Sequence, residues 1–277
     1  MIKIFRFLAI CTMSVALAGS SIAWTQTYTT VDYPGAIATT LNGGPNPQST
    51  SVGSYTDTSD VTRGFVLTKK GVFTSFDPPG STNTTPNFIS PQGDIVGSYL
   101  DASTVSHGFI LSGGNYTTVD FPGAAGTGLT GLNPSGELAG FSCVVASCVS
   151  GPFHSFVESK KGVFASFDPP GAISSLASTV NPSGAVVGFY RDSSRVGHGY
   201  LGATLTFNGG NNPEGDIVGE YVDTAGNGHG FLFNGAYVSF DLPGAIETDA
   251  AGINPGGIIV GIYVDSAGAV HGFIRTP

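Results

Sequence analysis

The chain has 277 residues, with 10 Lys and Arg against 19 Asp and Glu, for a formal net charge of −9. That balance argues against nucleic acid and anionic membranes as partners, since both reward clustered Lys and Arg. Only 10% of residues are charged and 42 are glycine, a composition that would suit a low-complexity coil, but regular Val, Ile, Phe and Tyr positions supply the apolar surface for a large core.

Residues 1–23 read as a secretory signal. Lys3 and Arg6 give a basic start, Phe7 to Ala18 an apolar stretch, and Ser21-Ile22-Ala23 a small-x-small cleavage site. A stretch of about 12 apolar residues is too short to span a bilayer, so no membrane insertion is expected after cleavage. Cys11 follows Ile10, where a lipid attachment site needs a small residue. Cleavage removes Lys3 and Arg6, moves the formal charge from −9 to −11, and leaves residues 24–277 as a single repeat domain. The expected location is secreted, cell-surface or periplasmic.

The mature chain opens with an isolated strand, Tyr28 to Asp32, closed by a D-x-P-G turn. From there a phrase recurs: an N-P-x-G turn, a V-G-x-Y strand, an H-G-F strand and another D-x-P-G turn. The H-G-F slot begins at Arg63, His107, His154, His198, His229 and His271, at intervals of 44, 47, 44, 31 and 42 residues. The D-x-P-G slot begins at Asp32, Asp77, Asp120, Asp168 and Asp241, and a further Asp follows the strand-two Tyr at Asp57, Asp101, Asp192, Asp223 and Asp265. The short interval of 31 marks a truncated junction between His198 and Asn212, where Thr204 to Phe207 must replace two strands or omit one. A fixed period in the forties means repeated supersecondary units.

The second copy predicts strands at 87–90, 95–100, 107–111 and 116–120, bounded by Gly, Pro, Asn and Asp. Four antiparallel strands per copy are the content of one β-propeller blade. The expected fold is therefore all-β, a propeller of six blades, with five plus an irregular insert as the alternative and an open solenoid as the rival architecture. The initial strand supplies what the last copy, ending at Phe273-Ile274, lacks, so the two should pair and close the ring. The V-G glycine is expected to let the next blade pack closely.

The pattern resembles the HAF family of extracellular repeats, named for a His-Ala-Phe tripeptide where this chain usually has His-Gly-Phe. The resemblance covers Tyr28 to the end, departing at Arg63, in the expanded third copy and at the truncated junction. It implies an exported bacterial protein and carries over no catalytic residues.

Cys143 and Cys148 lie in the expanded loop of the third copy, and in an oxidising compartment they predict a local disulfide. A metal site there would need two ligands beyond the cysteines, and His154 alone is not enough. The His ring reads as a repeated structural contact with two rival partners: the hairpin Asp six residues earlier, or the D-x-P-G Asp on the fourth strand. His154 has no hairpin Asp and His198 has no following D-x-P-G, so these two separate the rivals. The acids Asp60, Glu247 and Asp249 fall outside the repeat slots and are candidate ligand residues on the face of the second-to-third-strand loops; Glu158, Glu214 and Glu220 are scattered. The D-x-x-G loops of the last copies faintly resemble calcium loops but lack the ligand count of an EF-hand. No G-x-S-x-G, H-E-x-x-H or P-loop occurs, and no catalytic residue or metal ligand is assigned. The expected function is a binding or interaction scaffold for an extracellular glycan or protein. The alternative is a propeller enzyme acting on an extracellular polysaccharide, with or without calcium.

Overall fold

The computed structural model describes residues 27–182, 184–201, 216–222, 227–234 and 237–277. Every regular element among them is a strand. The cleavage site, Asp223, Glu214 and the stretch Thr204 to Phe207 lie outside the described residues.

An N-terminal strand, β1 (Thr27–Val31), precedes the repeats. The first antiparallel sheet holds β2 (Ala38–Gly43), β3 (Ser51–Thr56), β4 (Thr62–Leu67) and β5 (Phe73–Phe76). The second holds β6 (Asn83–Ile89), β7 (Ile95–Leu100), β8 (Ser106–Ser112) and β9 (Asn115–Val119). The third holds β10 (Gly126–Leu132), β11 (Leu138–Cys143), β12 (Phe153–Glu158) and β13 (Phe164–Phe167), and the fourth β14 (Ala172–Val180), β15 (Val186–Asp192) and β16 (Gly197–Leu201). Then follow β17 (Ile217–Val222), β18 (Gly228–Phe233) and β19 (Tyr237–Phe240), joined by one parallel bridge, Gly228 to Glu247, to β20 (Ala245–Ile253), β21 (Ile259–Asp265) and β22 (Val270–Thr276). The N-terminal strand β1 pairs antiparallel with β22, from Thr27 opposite Thr276 to Val31 opposite Gly272. Sequential antiparallel sheets of this kind form a β-propeller.

The apolar core is divided among the gaps between sheets. One cluster joins Val52 of the first sheet to Ile89, Ile95 and Phe109 of the second, another joins Val96 to Leu129, Leu138 and Phe156, and a third joins Val31 and Val260 to Leu41 and Phe65. The third-strand aromatics anchor these clusters: Phe65, Phe109, Phe156 and Phe273 are fully buried.

This packing corrects the expected role of the V-G glycine. An added Cβ at Gly53 would lie 2.8 Å from Phe65 Cζ, and at Gly97 2.8 Å from Phe109 Cε1 and 2.7 Å from Pro86 Cα, all within the same sheet. The glycine makes room for the inner strand's carbonyl, Thr40 O or Thr85 O, and for its own blade's Phe. The neighbouring blade is met by the glycine of H-G-F: a Cβ at Gly108 would lie 2.8 Å from Leu129 Cγ, and at Gly64 3.0 Å from Pro86 Cγ. Where Ser155 replaces that glycine, its hydroxyl bonds Ser175 Oγ at 2.7 Å and Tyr200 Oη at 2.8 Å.

The turns follow their residues. In Tyr33-Pro34-Gly35-Ala36, Pro presets φ and Gly35 takes φ 80°, with Ala36 N bonded to Tyr33 O, the geometry of a type II turn. In the N-P-x-G turns the Asn caps the loop: Asn133 Oδ1 accepts from Glu137 N at 2.9 Å and Asn254 Oδ1 from Ile258 N at 3.0 Å.

The first strand of the second sheet begins at Asn83, four residues before the expected 87. Pro86 hid this segment. Its strand is the sheet edge, pairing only with β7, so the missing N–H breaks no ladder.

Candidate functional site

Each innermost strand, β2, β6, β10, β14 and β20, carries a bulge at the same slot, holding Asn42, Asn87, Thr130, Ser178 and Ala251. A bulge re-aims its side chain and leaves a carbonyl unpaired in the ladder. Three of these side chains reach the next blade: Asn42 Nδ2 donates to Pro86 O and Asn87 Nδ2 to Leu129 O, both at 2.8 Å, and Thr130 Oγ1 donates to Ala177 O at 2.6 Å. Sequence reasoning missed this belt. Its signal was a polar residue at the fifth position of the first strand, recurring at intervals of 45 and 43 residues.

The five bulge residues border a cavity of about 320 Å³ that is continued by Pro47, Pro91, Pro134, Pro182 and Pro255 of the first-to-second-strand turns. Asp249 is the one charged residue lining it among the described residues. Of the three candidate ligand acids, Asp249 therefore faces this cavity with the N-P turns, which sit at the opposite end of the strands from the hairpin loops. Asp60 sits exposed at the β3–β4 hairpin with φ 63°. Glu247 is exposed near the start of β20.

Glu220, unremarked among the scattered acids, joins Glu247 instead. A Cβ at Gly228 would collide with Glu220 Oε1 and lie 2.8 Å from Glu247 Cγ, so the two side chains converge there. Desolvation, then the charges of Asp249 and Glu247, push the Glu220 carboxyl up to about 7. Desolvation and then Glu247 push Asp249 up to about 6. Glu220 is the only acid in the x position of V-G-x-Y, where Ser54, Ser98, Phe141, Phe189 and Ile262 stand elsewhere. Glu158, in β12, is raised by burial alone.

At the hairpin end, the His slot meets both rival partners. His271 Nδ1 lies 3.0 Å from Asp32 Oδ1 and its Nε2 3.4 Å from Asp265 Oδ2. His107 has Asp120 at 3.0 Å and Asp101 at 3.6 Å on its two nitrogens. Arg63 likewise bridges Asp57 at 3.2 Å and Asp77 at 3.1 Å. The two separating residues each keep the partner they have: His154 bonds Asp168 at 2.9 Å and His198 bonds Asp192 at 3.1 Å. His229 bonds Asp241 at 2.9 Å. The expected choice between partners was a false one, because imidazole has two nitrogens and the slot stands between both carboxylates. The hairpin Asp also divides its oxygens: Asp101 Oδ1 accepts from Ser103 N and Val105 N, each at 2.8 Å, leaving Oδ2 for the His. Strand-two tyrosines stack on the imidazoles, with ring centroids of Tyr99–His107 at 5.2 Å and Tyr263–His271 at 4.9 Å.

Cys143 and Cys148 form a disulfide. The loop it ties reaches the preceding copy, where Ser106 N donates to Ala146 O at 2.7 Å. Among the described residues no three His, Cys, Asp or Glu side chains are grouped to hold a metal ion, and no helix is long and apolar enough to cross a membrane.

No family model and no curated protein matches the chain. Solved structures do. A mutant of AofleA from Arthrobotrys oligospora is 10% identical, with 90% of this chain and 86% of that chain covered and a TM-score of 0.53. The fungal lectin of Aleuria aurantia, described as a six-bladed β-propeller with a novel fucose recognition mode, is 12% identical over 89% and 93% with a TM-score of 0.51. The β-propeller domain of the trilobed protease from Pyrococcus furiosus, described as having an open velcro topology, is 8% identical over 86% and 95% with a TM-score of 0.50. At these identities the likeness is one of fold.

Proposed function

We propose that the protein is an exported HAF-type propeller of six blades, closed by β1 on the last blade, that binds glycans outside the cell as a scaffold rather than turning them over. The observation that carries this reading is the cavity of about 320 Å³ at one end of the blades, walled by proline and aliphatic side chains with a few fixed polar groups. That is the usual make-up of a small-molecule site. The disulfide suits an oxidising compartment, and the lectin of similar fold is described by its fucose recognition. A glycan array probed with mature protein, with and without calcium, tests the reading. Retention of defined glycans supports it, and a blank array in both conditions overturns it.

A second reading, a glycan-cleaving enzyme, draws on Glu220 and Asp249, two carboxyls raised into the range useful for proton transfer. Release of reducing ends from array-positive polysaccharides, lost in Glu220→Gln, would favour it over the scaffold.

A further inference from the structure

The cavity sets spare acceptors beside a single carboxylate. Asn42 and Asn87 hold their Nδ2 donors on Pro86 O and Leu129 O, and Thr130 spends its hydroxyl proton on Ala177 O. A carbonyl only accepts, so each amide is fixed with one N–H toward the next blade, and its Oδ1 and second N–H remain without a partner among the described residues. Asp249 lines the same cavity, and burial and Glu247, with no hydrogen bond among the described residues, govern its carboxyl. No Lys, Arg or His among the described residues borders the cavity, and residues 202–215, 223–226 and 235–236 contain none. A desolvated carboxylate and two spare amide oxygens, with no cation near, ask for a ligand that brings donors and positive charge.

We propose that this cavity takes a glycan unit bearing a free, protonated amine, with the amine toward Asp249, hydroxyls donated to the Asn42 and Asn87 oxygens, and the sugar's C–H faces on the proline and aliphatic wall. The inference rests on the glycan-binding reading and narrows its substrate class to amino sugars. Glu247 and Glu220, the other ionisable side chains whose charges reach Asp249, add to the attraction for a cation.

The test is calorimetric titration of the mature protein with a glucosamine tetramer and with the N-acetylglucosamine tetramer, which has the same sugar ring but no charge, in wild type and Asp249→Asn. Removing an unpartnered charge should leave the fold intact, which a melting curve checks. The expected result is at least about tenfold tighter binding of the glucosamine tetramer, with the preference lost in Asp249→Asn. Equal binding of the two tetramers, unaffected by Asp249→Asn, overturns the amine proposal and leaves the glycan reading standing. Failure of both tetramers together with a blank glycan array overturns both.

Discussion

Single carboxylates in this protein do two jobs, one per oxygen. In the hairpin Asp, Oδ1 fixes the loop and Oδ2 meets the His or Arg. The loop amides are the largest cause holding Asp57, Asp101 and Asp265 below the ordinary range, while for Asp192 the His198 bond leads. The Asp32 bond first, and Asp265 after it, raise His271. A raised His stabilises fully below its unfolded value of about 6.5, and the contribution fades as pH rises through the folded value. The destabilisation caused by His271→Gln, read by urea melts, should therefore be larger at pH 5.5 than at pH 8.5. Glu220 has the opposite chemistry and the same direction in pH. Its raised carboxyl makes ionisation costly once the unfolded chain ionises above about 4.5. Glu220→Gln should change little at pH 4.5 and stabilise by about 1–2 kcal/mol at pH 8, after discounting solvent screening at a half-buried site. Backbone strain is testable at Thr104, which takes φ 61° at the loop slot where the last copy has Gly268 at φ 83°. Thr104→Gly should raise stability by about 1 kcal/mol, since relief of a β-branched left-handed residue outweighs the entropy of glycine.

At the scale of the strand, the bulge governs the inner wall. Asn87→Ala removes the donor to Leu129 O and leaves that carbonyl unpaired in the gap between blades, a loss of about 1–2 kcal/mol in chemical denaturation. Ala251 shows what such a blade looks like without a polar bulge residue. The strands themselves were legible in the sequence because Gly, Pro and Asn punctuate them and the V-G and H-G-F phrases recur in register. The bulge was not, because an inserted residue leaves no gap in the spelling of a strand. The partner of each glycine was also illegible: both the V-G and the H-G-F glycine announce close approach, but only coordinates show that the first faces Phe of its own blade and the second faces the next blade. Asp249 and Glu247, two residues apart, were read as lying on the hairpin-loop face; Glu247 is exposed near the start of β20, whereas Asp249, further along the strand, is among the residues lining the cavity, and Glu220 was passed over because it lies in a different copy.

For the whole molecule, the period and phase of the repeats foretold an all-β propeller and the pairing of the first strand with the last. What the sequence could not supply was the division of the core into separate inter-sheet clusters, since periodicity shows which residues are apolar without saying which sheet they meet. One such cluster depends on β1, whose Val31 packs with Leu41, Phe65 and Val260. Removing residues 24–32 should expose that seam and free the edge of β22, lowering the melting temperature by roughly 10 °C, for a loss of about 3–5 kcal/mol. A truncated protein that melts with its parent would show that β1 is dispensable.

The antiparallel pairing of β1 with β22 also sets how the molecule resists a pull. Thr27 lies opposite Thr276, so the two outer ends of this pair leave from the same edge. Tension applied between them loads the ladder one rung at a time, as a zipper opens, whereas a parallel pair would share the load in shear. Stretched between its ends in a force-clamp experiment, the protein should yield first at this seam and at low force, releasing β1 while the other sheets stay intact. A cell surface that tethered it at one end only would never strain that seam.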